Sequence, residues 1–119
     1  MRVFGMRTAT AKAKGRRLQQ WFRDLLIETI DADPEDVRSV SMGQSGEDIL
    51  LSKAARDKFP FSVECKNQER LNLWAAWDQV NQNKSIYSPL LVVKRNGTQP
   101  LVVVEADIFM ELVKNNDQN

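Results

Sequence analysis

Residues 60–66, PFSVECK, set the tightest limit on what this chain can fold into. Phe61, Val63 and Cys65 alternate with Ser62, Glu64 and Lys66, the period of a strand with one buried face and one face that carries charge. Helical patterns lie on both sides. From Gly15, residues Leu18, Phe22, Leu25, Leu26 and Ile30 recur at helical spacing, with Gln19, Arg23 and Glu28 between them and Trp21 widening the stripe. Within QERLNLWAAWDQVNQN, Leu73, Trp77 and Val80 share a second stripe beside Leu71 and Trp74. A strand bracketed by long amphipathic helices belongs in a sheet that helices cover.

The other segments extend that sheet. In DADPED, Asp33 before Pro34 is an N-cap with proline at the first helical position, which predicts a short turn. Val37, Val40 and Met42 predict a first strand, Gly43 and Gly46 bracket a loop, and Ile49–Leu51 mark a second strand. SKAARDKFP predicts a helical turn before Pro60. SPLLVVKR and QPLVVVEA read as strands flanking an Asn96-Gly97 turn, and DIFMELVK as a short closing helix before a polar tail. The expected architecture is one α/β domain with a central mixed sheet of five strands, in the order α-β-β-β-α-β-β-α. The expected divisions are a flexible basic arm over residues 1–14, the folded domain over 15–114 and the tail over 115–119.

Composition removes whole classes of chemistry. Histidine is absent and Cys65 is the lone cysteine, so there is no imidazole base, no histidine zinc site and no internal disulfide. Cys65 shares the core face with Val63, which makes it a small apolar residue rather than a nucleophile. Any catalysis must use carboxylates, lysine, hydroxyls or an oxygen-ligated metal. No apolar run reaches the ~18–20 residues of a membrane span, and the basic N-terminus lacks a signal's apolar centre, so a cytoplasmic location is expected.

The net charge of +1 hides an asymmetry. Residues 1–23 carry Arg2, Arg7, Lys12, Lys14, Arg16, Arg17 and Arg23 and no acid, while the remaining chain is net acidic. A basic end on an acidic body suits a polyanion such as DNA, gripped by Lys12, Lys14, Arg16 and Arg17 through its phosphates; a merely solvated helix start is the other reading. Trp74 and Trp77 read as packing or a subunit interface first, with stacking on unpaired bases as the other use.

Asp48 opens the second strand, and Glu64 and Lys66 share one face of the third. If those strands pair as a hairpin, Asp48 and Glu64 converge. Two carboxylates hold a hard cation such as Mg²⁺, with Mn²⁺ as a substitute, and a nearby lysine offsets charge developing on a phosphoryl group. An acid and a lysine at a strand end are also what a solvated terminus looks like, and spacing alone does not separate the two.

In order along the chain stand Gly15-x-x-x-Gln19, Arg38-Ser39, Ser45-Gly46-Glu47-Asp48-Ile49, Val63-Glu64-Cys65-Lys66, a helix, and Pro89-Leu90-Leu91-Val92-Val93-Lys94. This arrangement resembles the PD-(D/E)xK nuclease superfamily, above all archaeal Holliday-junction resolvases and the small resolvase-like nucleases of bacteriophages, over residues ~12–105. The resemblance implies a restriction-endonuclease-like fold and a homodimer that cuts branched DNA. It also implies Asp48 and Glu64 as metal ligands, with Lys66 as the catalytic lysine. Arg38 and Ser45 would then lie near DNA, and Gln79 would support the site from the following helix. Gln19 stands where those resolvases carry a glutamate, so it offers a weak, uncharged ligand. The connection from Ser52 to Phe61 is longer than the family's tight hairpin. A general nuclease of the same superfamily, a catalytically silent DNA-binding protein on that fold, and a protein-interaction module are the competing readings.

Overall fold

The computed structural model describes residues 2–40, 46–82 and 85–117, with residues 2–9 and 117 described by their backbone alone. Met42, Ser45 and most of the Gly43–Gly46 loop lie outside the described residues.

Helix α1 runs from Arg2 to Ile30. It therefore begins well before Gly15, and the residues expected as an arm continue the same helix. Leu18, Phe22 and Leu26 form its buried stripe. The helix stops where Asp31 takes a left-handed φ of 53°, with the Ala32 N–H returning to the Ile27 carbonyl. Lys58 Nζ donates to the Ile30 carbonyl at 3.0 Å, a cation at the negative end of the helix dipole. The Asp33 cap forms as expected: its carboxylate accepts the Glu35 N–H at 2.9 Å and starts a 3₁₀ turn over Pro34–Asp36.

Strands β1 (Val37–Ser39) and β2 (Ile49–Leu51) pair antiparallel. Helix α2 (Lys53–Lys58), capped by the Ser52 hydroxyl, leads into β3 (Phe61–Asn67). Helix α3 (Leu73–Gln82), whose first turn is capped by Asn72 Oδ1, crosses over to β4 (Ser88–Lys94), parallel to β3. Strand β5 (Leu101–Val103) returns antiparallel after a turn in which Gly97 has φ 76°. Helix α4 (Ala106–Asp117) takes in residues expected as tail.

The α/β class holds, but the single five-stranded sheet does not: the strands form a two-stranded sheet, β1-β2, and a three-stranded sheet, β3-β4-β5. The expected β2–β3 hairpin is reduced to one backbone bond, from the Asp48 N–H to the Val63 carbonyl at 2.9 Å. The reason is local. The next donor along β3, the Cys65 N–H, is taken by the Asp48 side chain rather than by a strand carbonyl.

The main core lies between α1 and the sheets, where Leu18, Phe22 and Leu26 meet Val37, Ile49, Val63, Cys65 and Val92. A smaller cluster on the opposite sheet face joins Ala76 and Val80 of α3 to Leu91. Burying Val63 and Cys65 on the α1 side turns Glu64 and Lys66 the other way, as the alternation predicts. Among the described residues, no helix is long and apolar enough to cross a membrane.

Candidate functional site

Asp48 sits where the two sheets meet. Its N–H donates to Val63, its carbonyl accepts the Val40 N–H at 2.9 Å, and its Oδ2 accepts the Cys65 N–H at 2.8 Å. Main chain and side chain are thus pinned between the end of β1 and the middle of β3, which fixes the carboxylate without a flexible linker.

Glu64 and Lys66 approach from β3. Lys66 Nζ lies 3.9 Å from Glu64 Oε1, a loose pair with both side chains largely covered. Among the described residues, Glu64 Oε2 is buried without a hydrogen-bond partner. Natural folds seldom leave a buried carboxylate oxygen unsatisfied, and each such atom asks for an ion or water. Both carboxyls are pushed above their ordinary range. For Asp48 burial raises the pKa, and the Cys65 N–H, the Lys66 charge and a Gln19 hydrogen bond only partly offset it. For Glu64 burial is again the largest cause, repulsion from Asp48 adds to it, and Lys66 opposes it. A bound divalent cation would relieve both the burial cost and the mutual repulsion.

Gln19 reaches this site from α1. Its Oε1 accepts the Ser39 hydroxyl at 3.1 Å, while its hydrogen bond to Asp48 lowers that carboxyl's pKa. Among the described residues no group of three or more carboxylate, cysteine or histidine side chains is placed to hold a metal ion. The two carboxyls close enough to act on one another here are Asp48 and Glu64. Two carboxylates with water completing the shell are an ordinary arrangement for Mg²⁺.

The basic residues divide between two flanks of α1. On one flank, Lys14, Arg17, Trp21 and Lys94 line a cavity of about 420 Å³ that also takes in Asn67. Among the described residues no acidic side chain lines it. Arg38 is exposed on β1 and lines an open cleft on the other flank with Gln20, Arg23, Asp24 and Ser39. Lys12 and Arg16 are exposed on α1, clear of both cavities. Gln79 is exposed on α3, and no hydrogen bond ties it to Glu64 or Lys66 among the described residues. Cys65 is buried in the core, and burial first, then the neighbouring carboxylates, holds its thiol protonated.

Sequence reasoning missed the clamp beneath Asp48. Arg56 of α2 donates from Nη2 to both Glu47 oxygens at 2.9 Å and from Nη1 to the Phe61 carbonyl at 3.1 Å, and lies 4.4 Å over the Tyr87 ring. The two acids of "ED" thus have different partners, Arg56 for Glu47 and the Cys65 N–H for Asp48. Asn67 was missed as well: it continues the core-facing register of Cys65 and so needs partners, yet its Oδ1 is buried without one while its Nδ2 donates to the Lys14 carbonyl at 3.3 Å.

Comparison with known protein families, characterised proteins and solved structures finds no match.

Proposed function

We propose that the chain is a divalent-metal-dependent endonuclease that hydrolyses phosphodiesters in branched DNA. The observation that carries this reading is Glu64 Oε2, buried and unpartnered beside Asp48 and Lys66. Asp48 and Glu64 would hold the cation, Mg²⁺ or Mn²⁺. When bound there it supplies Lewis-acid stabilisation of charge on a phosphoryl oxygen. The protein's own groups do the rest. The Cys65 N–H keeps Asp48 in one orientation, and Lys66 places a compact positive charge where the phosphoryl group becomes more negative. Lys14, Arg17 and Lys94 on one flank of α1 and Arg38 on the other offer phosphate contacts to two diverging backbones, which suits a branch better than a straight duplex.

Purified protein incubated with four-way junctions, linear duplex and single strands, in Mg²⁺ or EDTA, tests the reading. Expected is metal-dependent cutting of the junction that falls by about 10²-fold or more in Asp48→Asn and in Lys66→Ala. Equal cutting by wild type and variants removes the mechanism, and a preference for linear duplex makes the protein a general nuclease instead. The engaged Gln19 carbonyl favours one second reading, a DNA-binding protein with no turnover. That reading predicts junction binding indifferent to metal and no cleavage in Mg²⁺ or Mn²⁺.

A further inference from the structure

The cavity of about 420 Å³ beside α1 is built for more than phosphate contact, and Asp48, Glu64 and Lys66 do not line it. Lys14, Arg17 and Trp21 fall at helical spacing on one face of α1 and form one wall. Asn67 and Lys94 contribute to the rest. They are register partners at the carboxyl ends of parallel strands β3 and β4, the end of a sheet at which α/β folds place their ligands. Gln99, beyond the Gly97 turn, lines it as well.

Each lining group narrows the ligand. Lys14, Arg17 and Lys94, with no acid among the described lining residues, call for an anion; Glu69 accepts the Asn96 N–H at 2.6 Å and lines a separate cavity. Trp21 calls for a flat group. Its indole is 44% exposed, while the core takes Leu18, Phe22 and Leu26 from the same helix, and among the described residues no cation lies over its ring. The Asn67 amide is half used: Nδ2 donates to the Lys14 carbonyl at 3.3 Å, whereas Oδ1 is buried with no partner among the described residues, an acceptor that an N–H of a base would complete. Anion, flat ring and amide edge together describe a nucleotide, and the volume lies within the roughly 300–1,000 Å³ of small-ligand sites. Stacking on Trp21 needs a base face that no neighbouring base covers. We propose that this cavity holds one unpaired nucleotide, its base on Trp21 and its phosphate among Lys14, Arg17 and Lys94, a refinement that rests on the DNA reading of this flank but not on the cleavage chemistry. A fully paired duplex offers no such nucleotide away from its ends, so the cavity selects distorted DNA.

Fluorescence anisotropy in EDTA, with the full chain and nothing being cut, tests it. The probes are a labelled duplex with one unpaired nucleotide, the same duplex with an abasic residue at that position, and the fully paired duplex. Wild type is expected to bind the first about 5- to 100-fold more tightly than the other two, the factor that stacking on one base supplies. Trp21→Ala should lose that preference and Trp21→Phe keep most of it, with unchanged circular dichroism spectra, while Lys94→Ala should weaken all three probes alike. A fall of the first probe's affinity to the abasic level in millimolar dAMP, absent with inorganic phosphate, supports the site too and shows that a free nucleotide fills it. Equal affinity for the unpaired and abasic probes overturns the pocket and needs no variant, so it decides even where Trp21→Ala unfolds. An unchanged preference in folded Trp21→Ala overturns it as well; either result leaves the phosphate contacts of the flank standing. Failure to bind any of the three DNAs overturns the pocket and the DNA reading together.

Discussion

Arg56→Ala is the substitution whose effect can be worked out most fully. The Glu47 and Arg56 side chains retain only about a tenth of their exposure, so solvent screens the pair weakly. Removing the guanidinium deletes three hydrogen bonds and a cation–π contact, and it leaves the Glu47 carboxylate buried with no counter-charge. Breaking a buried pair in this way costs about 3–5 kcal/mol, against a total stability of ~5–15 kcal/mol for a domain of this size. The melting temperature should therefore fall by roughly 10–20 °C, and the urea midpoint should fall with it. The carboxylate is the cause, so deleting both charges should restore most of the loss: Glu47→Leu with Arg56→Met should lie within about 1–2 kcal/mol of wild type. A loss below about 1 kcal/mol in Arg56→Ala, or a double variant as unstable as the single, would refute the account of a buried clamp.

Three further outcomes follow from the site. Because the Asp48 and Glu64 carboxyls are raised in the folded state, the native protein binds protons more tightly than the unfolded chain between the ordinary values of 3.8 and 4.5 and the raised ones; stability should fall as pH rises through that window. In EDTA, Glu64→Gln should reduce this loss and melt higher than wild type at neutral pH, and a thermal scan against pH that shows no difference would count against it. Lys14→Ala, Arg17→Ala and Lys94→Ala should each lower the salt slope of DNA binding by about 1 and weaken all sequences alike, as read by fluorescence anisotropy over a salt series. Gln19→Glu should tighten Mg²⁺ binding, measured calorimetrically, while lowering the metal-free melting temperature, because a third carboxylate then faces Asp48; tighter binding without that loss would contradict the placement of Gln19.

What could be read in the sequence was whatever depends on one element at a time. The alternation in residues 60–66 placed Cys65 in the core and Glu64 with Lys66 on the other face, and the capping residue Asp33 marked where a turn begins. What could not be read depends on partners distant in the chain. Arg56 is nine residues from Glu47, and Tyr87 and Phe61 join it only after the chain folds. Pairing between sheets is equally non-local: five strands with sheet-like patterning gave no sign that an aspartate side chain would occupy the Cys65 N–H and end the β2–β3 ladder after one bond. The start of α1 was misplaced for another reason. Residues 2–14 have no apolar stripe to announce a helix, yet their alanines, lysines and arginines are strong helix formers that extend one already nucleated by packing.

Glu47 and Glu64 show how one residue type divides between structure and chemistry. Both are glutamates drawn largely out of water within one small domain, so desolvation opposes the charge on each. Glu47 is met by a guanidinium at 2.9 Å from both oxygens, which offsets its charge and gives each oxygen a partner. Glu64 is met by a single ammonium at 3.9 Å, keeps one oxygen buried without a partner, and is repelled by Asp48. A fold selected only for stability would remove that arrangement, since a glutamine or an apolar side chain at position 64 would suit the isolated domain better. The clamp at Glu47 holds the strand end that carries Asp48, and so helps to maintain the unfavourable pair one residue away. Stability supplied at one acid and withheld at its neighbours is what the proposed cation site would require, and it makes Glu64, rather than the more visible Lys66, the residue on which the proposed function depends.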